Sequence, residues 1–353
     1  MSTERIGKVQ TVRGLIEPHE MGITMMHEHL IIDLRHRYTP PAEIGRIVFG
    51  EAPVTPDRLL DVHYDPFGNI DNLVLFDEQT AIDEVMEFKR AGGGTIVDTT
   101  TLGLGRDPLV LRRISAATGL HVTMGAGYYV YMSHPADMDD RSEDSIFEEI
   151  VHDVNVGVGD TGIRCGQIGE IGCEMHTPNE MKVVRAAARA QRATGAMLNI
   201  HQQYGINRLD VHNIADAIER SGGDLSRTVI SHSDGRESDF DYQVGLMKRG
   251  LTLEYDVFGL EIYIAPANAQ LPQDSERIAA IKRLCDAGWA SQIVIAQDIC
   301  MKFMMEKFGG WGYAHILKRI VPRFRKVGLG EAELNAMLVE NPRRLLPFVA
   351  PQP

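Results

Sequence analysis

The stretch GITMMHEHLIID, residues 22–33, places two histidines in a segment that otherwise has the composition of a buried strand. Side chains two positions apart on a strand share a face, so His27 and His29 point together while Glu28 points away. Backbone carbonyls could satisfy two such imidazoles in a polar core, and a metal ion could also hold them. The rest of the chain decides between these two interpretations.

Short β-rich segments of this kind recur along the chain, and longer stretches with helical spacing of apolar residues separate them. The segments are ITMMHEHLII (23–32), TIVDTT (95–100), HVTMGAGYY (121–129), CGQIGEIG (165–172), AMLNIHQ (196–202), TVISHS (228–233), LTLEYDVF (251–258) and QIVIAQDIC (292–300). Eight strands, each followed by a helix, predict an α/β protein with a (β/α)8 TIM barrel as one domain over residues 1–353. A doubly wound open sheet is the alternative, but no G-x-G-x-x-G follows the first strand.

Two segments lie outside this alternation. Residues 6–18, IGKVQTVRGLIEP, predict a small β-hairpin that caps the barrel. The stretch from Arg35 to Phe76 is rich in Pro and Gly and forms a long first β-α loop. Connections of this length usually belong to a lid or a binding loop.

Composition narrows the classes of partner. A formal net charge of −13 over 353 residues argues against a nucleic-acid partner, since such proteins usually carry a basic face. No run approaches the roughly 18 apolar residues of a membrane span, and the N-terminus has no apolar signal region, so we expect a cytoplasmic protein with a small-molecule substrate. The four cysteines form no C-x-x-C pair, which disfavours a disulfide framework or a zinc ribbon.

Polar side chains end several other predicted strands. Glu170 lies in the fourth, His201 ends the fifth, His232 ends the sixth and Asp298 ends the eighth. Each alone could be structural: a buried ion pair, a core histidine or a helix cap. Together with the first-strand histidines they converge on the barrel rim where active sites form, and several buried polar groups around one centre indicate cations. Imidazole and carboxylate without thiolate favour zinc, with manganese, iron and cobalt as alternatives.

Longer motifs extend this picture to nearly the whole chain. They are MMHEHL (25–30), VDTTTLGLGRDPLVLRRISAATG (97–119), GAGYY (125–129), GGWGYAHIL (309–317) and VENPRRLLPF (339–348). With these motifs the chain resembles the phosphotriesterase family of the amidohydrolase superfamily. Many members of that family bridge two metals with a carboxylated lysine, and the matching position here is Glu170, as in a phosphotriesterase-related branch.

The resemblance implies two divalent metal ions held by six side chains: His27, His29, Glu170, His201, His232 and Asp298. The first two histidines and Asp298 would hold the more buried ion, His201 and His232 the more exposed one, and Glu170 would bridge them. An encoded carboxylate would make assembly of the centre independent of bicarbonate. By analogy with related barrels, we expect a homodimer.

A centre of this kind supplies hydroxide at neutral pH, and Asp298 is the candidate to move its proton to the leaving group. Tyr129 matches the region where related lactonases place a tyrosine near the metals. We therefore expect a hydrolase of lactones or carboxylic esters, with weak phosphotriesterase activity as a by-product. The alternatives are an amidohydrolase that cleaves a small N-acyl compound and a binding barrel without catalysis.

Several residues near the predicted centre have more than one possible role. Asp234, in SHSDGRE, could orient His232 or cap the loop, and Val257 replaces an arginine common in acyl-homoserine lactonases, which disfavours those substrates. Arg106 and Asp107 are predicted to form a structural ion pair or a helix cap. The remaining candidates for contact with substrate are Arg35, Arg37, Lys302, Phe303 and Trp311.

Overall fold

The computed structural model describes residues 3–41, 46–204, 209–264 and 269–352. Its largest sheet has eight parallel strands in chain order. The strands are β1 Ile23–Glu28, β2 Gly93–Asp98, β3 His121–Ala126, β4 Gln167–Cys173, β5 Leu198–Gln202, β6 Thr228–Ile230, β7 Thr252–Tyr255 and β8 Ile293–Ile295. A backbone hydrogen bond of 3.3 Å from Asp298 N to His27 O joins the end of β8 to β1. The predicted (β/α)8 TIM barrel is confirmed.

Eight helices follow the strands. They are α1 Glu78–Arg90, α2 Pro108–Thr118, α3 Glu143–Asn155, α4 Pro178–Thr194, α5 Val211–Arg220, α6 Phe240–Lys248, α7 Asp274–Asp286 and α8 Val321–Lys326. Helix α8 continues a π-helical turn, Ile316–Ile320, and three short helical segments follow it, Glu331–Asn335, Ala336–Glu340 and Asn341–Leu345. Within the described ranges, no helix combines the length and the apolar character needed to cross a bilayer.

Capping residues explain where several helices begin and end. Thr177 and Glu180 form a capping box at the start of α4, in which each side chain accepts from the other residue's backbone N–H. Helices α2 and α4 end at Gly119 and Gly195, whose φ angles of 68° and 75° lie in the left-handed region. Glycine adopts this conformation without the steric penalty that a Cβ imposes.

The barrel interior changes from apolar to polar along its axis. Alternate residues of β5 and its flanks show the change: Met197, then Asn199, then His201, all buried. Met197 belongs to an apolar layer that closes the floor of the barrel. That layer contains Val9, Met21, Met26, Val97, Met197, Val229, Val294, Leu345 and Leu346. Polar side chains are therefore concentrated at the opposite end, the carboxyl ends of the strands.

The two irregular segments also match their predictions. Residues Val9–Thr11 pair with Gly14–Ile16 as an antiparallel hairpin, and a bond from Val12 N to Val122 O attaches it to β3. The long connection after β1 includes two short helices, Ile47–Glu51 and Leu59–Tyr64. Its residues 42–45 lie outside the described part of the chain.

The side chain of Glu28 connects β1 to the chain just after β8. As expected, its side chain points away from the neighbouring histidines, and it is fully buried. Its two carboxylate oxygens accept from the backbone N–H groups of Gln297 and Ile299, each at 2.9 Å. Burial raises the pKa of this carboxyl to about 8, although the two backbone bonds oppose the rise. Both bonds lie next to Asp298, so this side chain supports the backbone bond from Asp298 N to His27 O in closing the barrel and positioning Asp298.

We expect Glu28→Gln to lower the free energy of unfolding by about 1–3 kcal/mol, because its amide group can accept only one of the two backbone bonds and leaves a buried N–H unpaired. Urea denaturation followed by circular dichroism measures the change. The matched control is Glu51→Gln at an exposed position, which should leave the midpoint unchanged. Equal midpoints for both variants would contradict the role assigned to Glu28.

Candidate metal centre

All six predicted ligand positions meet at the carboxyl ends of the strands. The Nε2 atom of His29 lies 3.2 Å from Asp298 Oδ1 and 3.4 Å from Glu170 Oε1. On the other side of Glu170, Oε2 lies 2.9 Å from His201 Nδ1 and 3.5 Å from His27 Nε2. The sixth residue, His232, contacts the cluster through Nε2, which lies 2.8 Å from His201 Nδ1.

Backbone conformation directs two of these side chains. His232 and Asp298 have φ angles of 56° and 49°, in the left-handed region that residues with a side chain seldom adopt. Such conformations cost about 1–3 kcal/mol and persist where the surrounding structure imposes them. His232 lies just after β6 and Asp298 just after β8, where each strand gives way to the loop above the barrel.

Partners behind the rings set which nitrogen of His29 and His232 faces the centre. The Nδ1 atom of His29 lies 2.8 Å from Thr100 Oγ1, whose own proton goes to Ile31 O, so His29 donates from Nδ1. The Nδ1 atom of His232 donates to Asp256 Oδ1 at 2.9 Å. In both rings Nε2 is therefore the nitrogen that faces the cluster and can offer its lone pair to a cation.

His27 and His201 follow the same rule. The Nδ1 atom of His27 contacts Ser231 Oγ at 3.1 Å and Glu254 Oε2 at 3.3 Å, so its Nε2 faces the centre. His201 is reversed: its Nε2 lies 2.8 Å from Glu174 Oε1, so Nδ1 is the inward nitrogen. Outer partners that fix the tautomer in this way are typical of metal-binding histidines.

The resulting donor set fits cations. His27 Nε2 and Asp298 Oδ1 are buried and have no hydrogen-bond partner among the described residues. Burial lowers the pKa of His29, but the carboxylates of Asp298 and Glu170 outweigh it and raise the pKa to about 9. The cluster therefore attracts positive charge strongly, and it presents the nitrogen and oxygen ligands that zinc and similar ions prefer. Three groupings of three side chains could each hold an ion, and all of them include His27: with His29 and Asp298, with Glu170 and His232, and with Glu254 and Asp256.

The carboxylates behind the rings were missed by the sequence analysis. Glu254 and Asp256 lie two apart on and just beyond β7, the same spacing that singled out His27 and His29, so the pattern could have revealed them. Glu174 lies in the loop after β4, where no periodic signal exists. Burial would raise the pKa of Glu174, but Arg37 and His201 outweigh it and lower the pKa.

Asp234 is not the group that orients His232. Its Oδ2 accepts from Arg277 Nε at 2.7 Å, and both side chains are fully buried. Asp256 holds His232 instead, through the ring nitrogen and through the backbone N–H at 3.0 Å. The carboxylate that follows the histidine in the sequence thus serves the packing of α7.

A cavity of about 410 Å³ opens over the centre. Among the residues lining it are His29, Ile32, Leu34, Arg37, Thr39, Phe67, Tyr129, Glu174, Val257, Leu260, Ile264, Leu271 and Met301. Tyr129, the tyrosine singled out from the sequence, places its hydroxyl 3.4 Å from His201 Nε2. Arg37, Thr39 and Phe67 show that the long first loop contributes to the wall.

Several other candidates for contact with substrate lie elsewhere. Lys302 pairs with Asp71 at 2.6 Å, and Arg35 pairs with Asp33. Phe303 is fully buried against the ring of Trp311, and neither is among the residues that line the cavity.

Arg106 and Asp107 do not pair with each other. Asp107 caps α2 as predicted, by accepting from two backbone N–H groups of its first turn. Arg106 instead donates to Asp153 at 2.7 Å. Both residues are structural, so this part of the prediction is correct in role and wrong in the partner of Arg106.

The phosphotriesterase family model matches residues 7–346. The chain belongs to the phosphotriesterase family. One relative is the N-acetyltaurine hydrolase of Tetraodon nigroviridis, 39% identical over 97% of this chain and 98% of the relative. Among solved structures of similar proteins, a resiniferatoxin-binding protein from Rhodobacter sphaeroides has a TM-score of 0.94 and 41% identity, covering 96% of this chain and 95% of that one. A lactonase from Listeria monocytogenes has a TM-score of 0.77 and 26% identity, covering 97% and 100%.

The carboxylates that contact the outer nitrogens of the histidine rings can be tested by substitution. We expect Asp256→Asn to weaken zinc binding by about 10- to 100-fold, because the amide no longer fixes the His232 ring with a charged acceptor. Titration of chelator-treated protein with zinc, in competition with a chromogenic chelator, measures the affinity. Asp160→Asn, on the exposed surface, is the control. An unchanged affinity in Asp256→Asn would show that Asp256 does not support the centre.

Proposed function

We propose that this hydrolase of the phosphotriesterase family cleaves the amide bond of a small N-acyl compound. The observation that carries the proposal is the similarity to N-acetyltaurine hydrolases, which extends over 97% of the chain at 39% identity. The buried cluster of imidazoles and carboxylates beneath an open cavity is the chemical support. This conclusion adopts the alternative from the sequence analysis in preference to the lactone or ester expected first.

In this proposal two divalent cations would occupy the cluster. His27, His29 and Asp298 would hold one, His201 and His232 would hold the other, and Glu170 would serve both. Cations bound there lower the pKa of water toward neutrality and polarise the carbonyl oxygen under attack. Zinc is our first candidate, with manganese, iron and cobalt as alternatives.

Asp298 is the proposed proton carrier. Its Oδ1 has no hydrogen-bond partner among the described residues, and its side chain is 14% exposed at the cavity floor. An amide differs from a lactone in its leaving group, since an amine must gain a proton before it departs. A carboxylate that receives the proton of the attacking water and passes it to the amine nitrogen meets this requirement.

Tyr129 is the proposed donor to the substrate oxygen. Burial raises the pKa of its phenol well above the usual value, so the hydroxyl stays protonated at neutral pH. The hydroxyl lies at the cavity wall beside His201. A neutral O–H there can stabilise negative charge as it develops on the carbonyl oxygen.

Hydrolysis of a lactone or carboxylic ester remains the second candidate. The similarity to the lactonase from Listeria monocytogenes favours it, at 26% identity over nearly the whole chain. Val257 lines the cavity. The resemblance to acyl-homoserine lactonases predicts an arginine at this position, so that subclass of substrate is disfavoured. Weak phosphotriesterase activity would accompany either reaction.

We expect metal-loaded protein to release a ninhydrin-reactive amine from members of an N-acyl panel, faster than it opens a matched panel of lactones and aryl esters. Chelation should abolish the activity and zinc or manganese should restore it. Glu170→Gln should lose at least one metal per chain by elemental analysis and lose turnover, while its circular dichroism spectrum stays unchanged.

Glu148→Gln, an exposed substitution on α3, controls for the change of charge and should retain metal and activity. Amide turnover absent from a protein with two metals per chain would sink the amidohydrolase proposal. Lactone opening in the same sample would then support the second candidate, and full activity in Glu170→Gln would overturn the role of that residue.

A further inference from the structure

Arg37 is the feature of the cavity that the proposed chemistry leaves unused. It ends a short turn, Arg35–Arg37, at the beginning of the long first loop, and its side chain is 19% exposed. Among the described residues that line the cavity, it is the only lysine or arginine. A guanidinium keeps its charge at every physiological pH and presents five N–H donors.

The contacts of Arg37 hold it near the catalytic centre and leave donors free. Its Nη2 atom donates to Glu174 Oε1 at 2.6 Å and to Tyr129 Oη at 3.0 Å. Those same two oxygens contact His201, so one residue separates Arg37 from the centre. Within the described chain Nε and Nη1 donate to no residue, and neither atom is sealed from solvent. Either of these two N–H groups can therefore donate to a further acceptor.

The opposite wall of the cavity has a different character. Tyr129 and Glu174, which hold Arg37, follow β3 and β4. Strands β7 and β8 lie across a closed eight-stranded barrel from that pair. Among the described residues after β7 and β8 that line the cavity, apart from Asp298 of the centre and Cys300, the side chains are apolar: Val257, Leu260, Ile264, Leu271 and Met301. The two walls face each other across the imidazoles and carboxylates of the centre.

We propose that Arg37 binds an anionic group on the amine portion of the substrate, while the apolar wall after β7 and β8 receives an acyl group longer than acetyl. This inference rests on the proposed amide hydrolysis. It narrows the substrate to N-acyl derivatives of amino acids or aminosulfonates, with the amide placed between the two walls. A sulfonate or carboxylate at Arg37 would accept a charge-assisted hydrogen bond from Nε or Nη1.

The electrostatic argument explains why the anion needs this residue. Glu170, Glu174 and Asp298 all line the cavity, but in the proposal Glu170 and Asp298 hold cations, so Glu174 is the carboxylate whose charge opposes an anionic ligand on the β3 and β4 side. Arg37 is the cation on that side, and it pairs with Glu174. Removing it leaves the anion beside Glu174 without compensation.

The test compares three substrates: N-hexanoyltaurine, N-acetyltaurine and the neutral amide N-hexanoylethanolamine. In Arg37→Met, Tyr129 and Glu174 lose a partner whichever amide is bound, so we expect kcat/KM to fall for all three substrates, but about 10- to 100-fold further for the two taurine amides than for the neutral amide, with the extra loss mainly in KM. Wild-type protein should cleave the hexanoyl amide of taurine at least roughly tenfold better than the acetyl amide. Leu260→Ala should reduce that preference.

Two controls separate recognition from structure. Arg35→Met removes a neighbouring arginine that pairs with Asp33 on the exposed face, and it should leave all three substrates unaffected. Elemental analysis should find equal metal content in wild type and Arg37→Met, which excludes an effect through His201. An equal loss on charged and neutral amides would overturn the role of Arg37, and an acetyl amide as good as the hexanoyl amide would overturn that of the apolar wall.

Binding of hexanesulfonate, measured by isothermal titration calorimetry, separates this inference from the proposed function. If wild-type protein cleaves no amide but binds hexanesulfonate, and Arg37→Met binds it at least tenfold more weakly, amide hydrolysis fails while the anion site stands. If wild-type protein cleaves amides but does not distinguish their charge, the anion site fails while amide hydrolysis stands. Neither cleavage nor binding overturns both.

Discussion

Four imidazole rings with their lone pairs directed inward impose the constraint on which the rest of this structure depends. A neutral imidazole can present a lone pair at one nitrogen only if the other nitrogen donates to an acceptor. Thr100, Glu174, Ser231 with Glu254, and Asp256 are those acceptors. With Glu170 and Asp298 added, the centre gathers nitrogen and carboxylate ligands at one buried place, and a buried arrangement of this kind is stable chiefly around cations.

The barrel meets this constraint by its layering. An apolar floor, sealed by the N-terminal hairpin and the C-terminal helical segment, anchors the strands. The next layer contains Asn199, Ser231 and Glu254, which bond to one another at 2.7–2.9 Å and hold His27 from below. The histidines and acids of the centre lie above them. Strand alternation produces this order along β5, where Met197, Asn199 and His201 face the interior in turn.

Much of the fold and the six-residue cluster could be predicted from the sequence because both depend on periodicity. His27 and His29 share a face, and the strand ends of a parallel barrel share a rim, so the cluster could be assembled without coordinates. Asp234 shows where this reasoning stops. Adjacency to His232 in the chain indicated a role beside it, yet the left-handed turn at His232 carries Asp234 away to Arg277. Glu174 and the partner of Arg106 depend on how loops and helices pack, which no spacing of residues encodes.

The reaction and the choice of substrate likewise depend on different parts of the barrel. Barrels of this family include a lactonase and N-acetyltaurine hydrolases at comparable coverage, so the strands carry shared chemistry and the loops above them carry the differences. In this chain the loops that line the cavity include the first loop, which supplies Arg37, and the chain after β7, which supplies Leu260 and Ile264.

The hydrogen bonds of Glu28 link β1 to the chain just after β8, and this junction lies within the centre. The two N–H groups that Glu28 holds flank Asp298 in the chain, and His27 and His29 flank Glu28. A local opening between β1 and β8 would break those bonds and separate Asp298 from both histidines in one event. Exchange of a cation at this position and hydrogen exchange at the Gln297 and Ile299 amides would then share a single opening equilibrium. The rate at which a cation leaves would then depend more on how often β1 and β8 separate than on the strength of any one ligand bond.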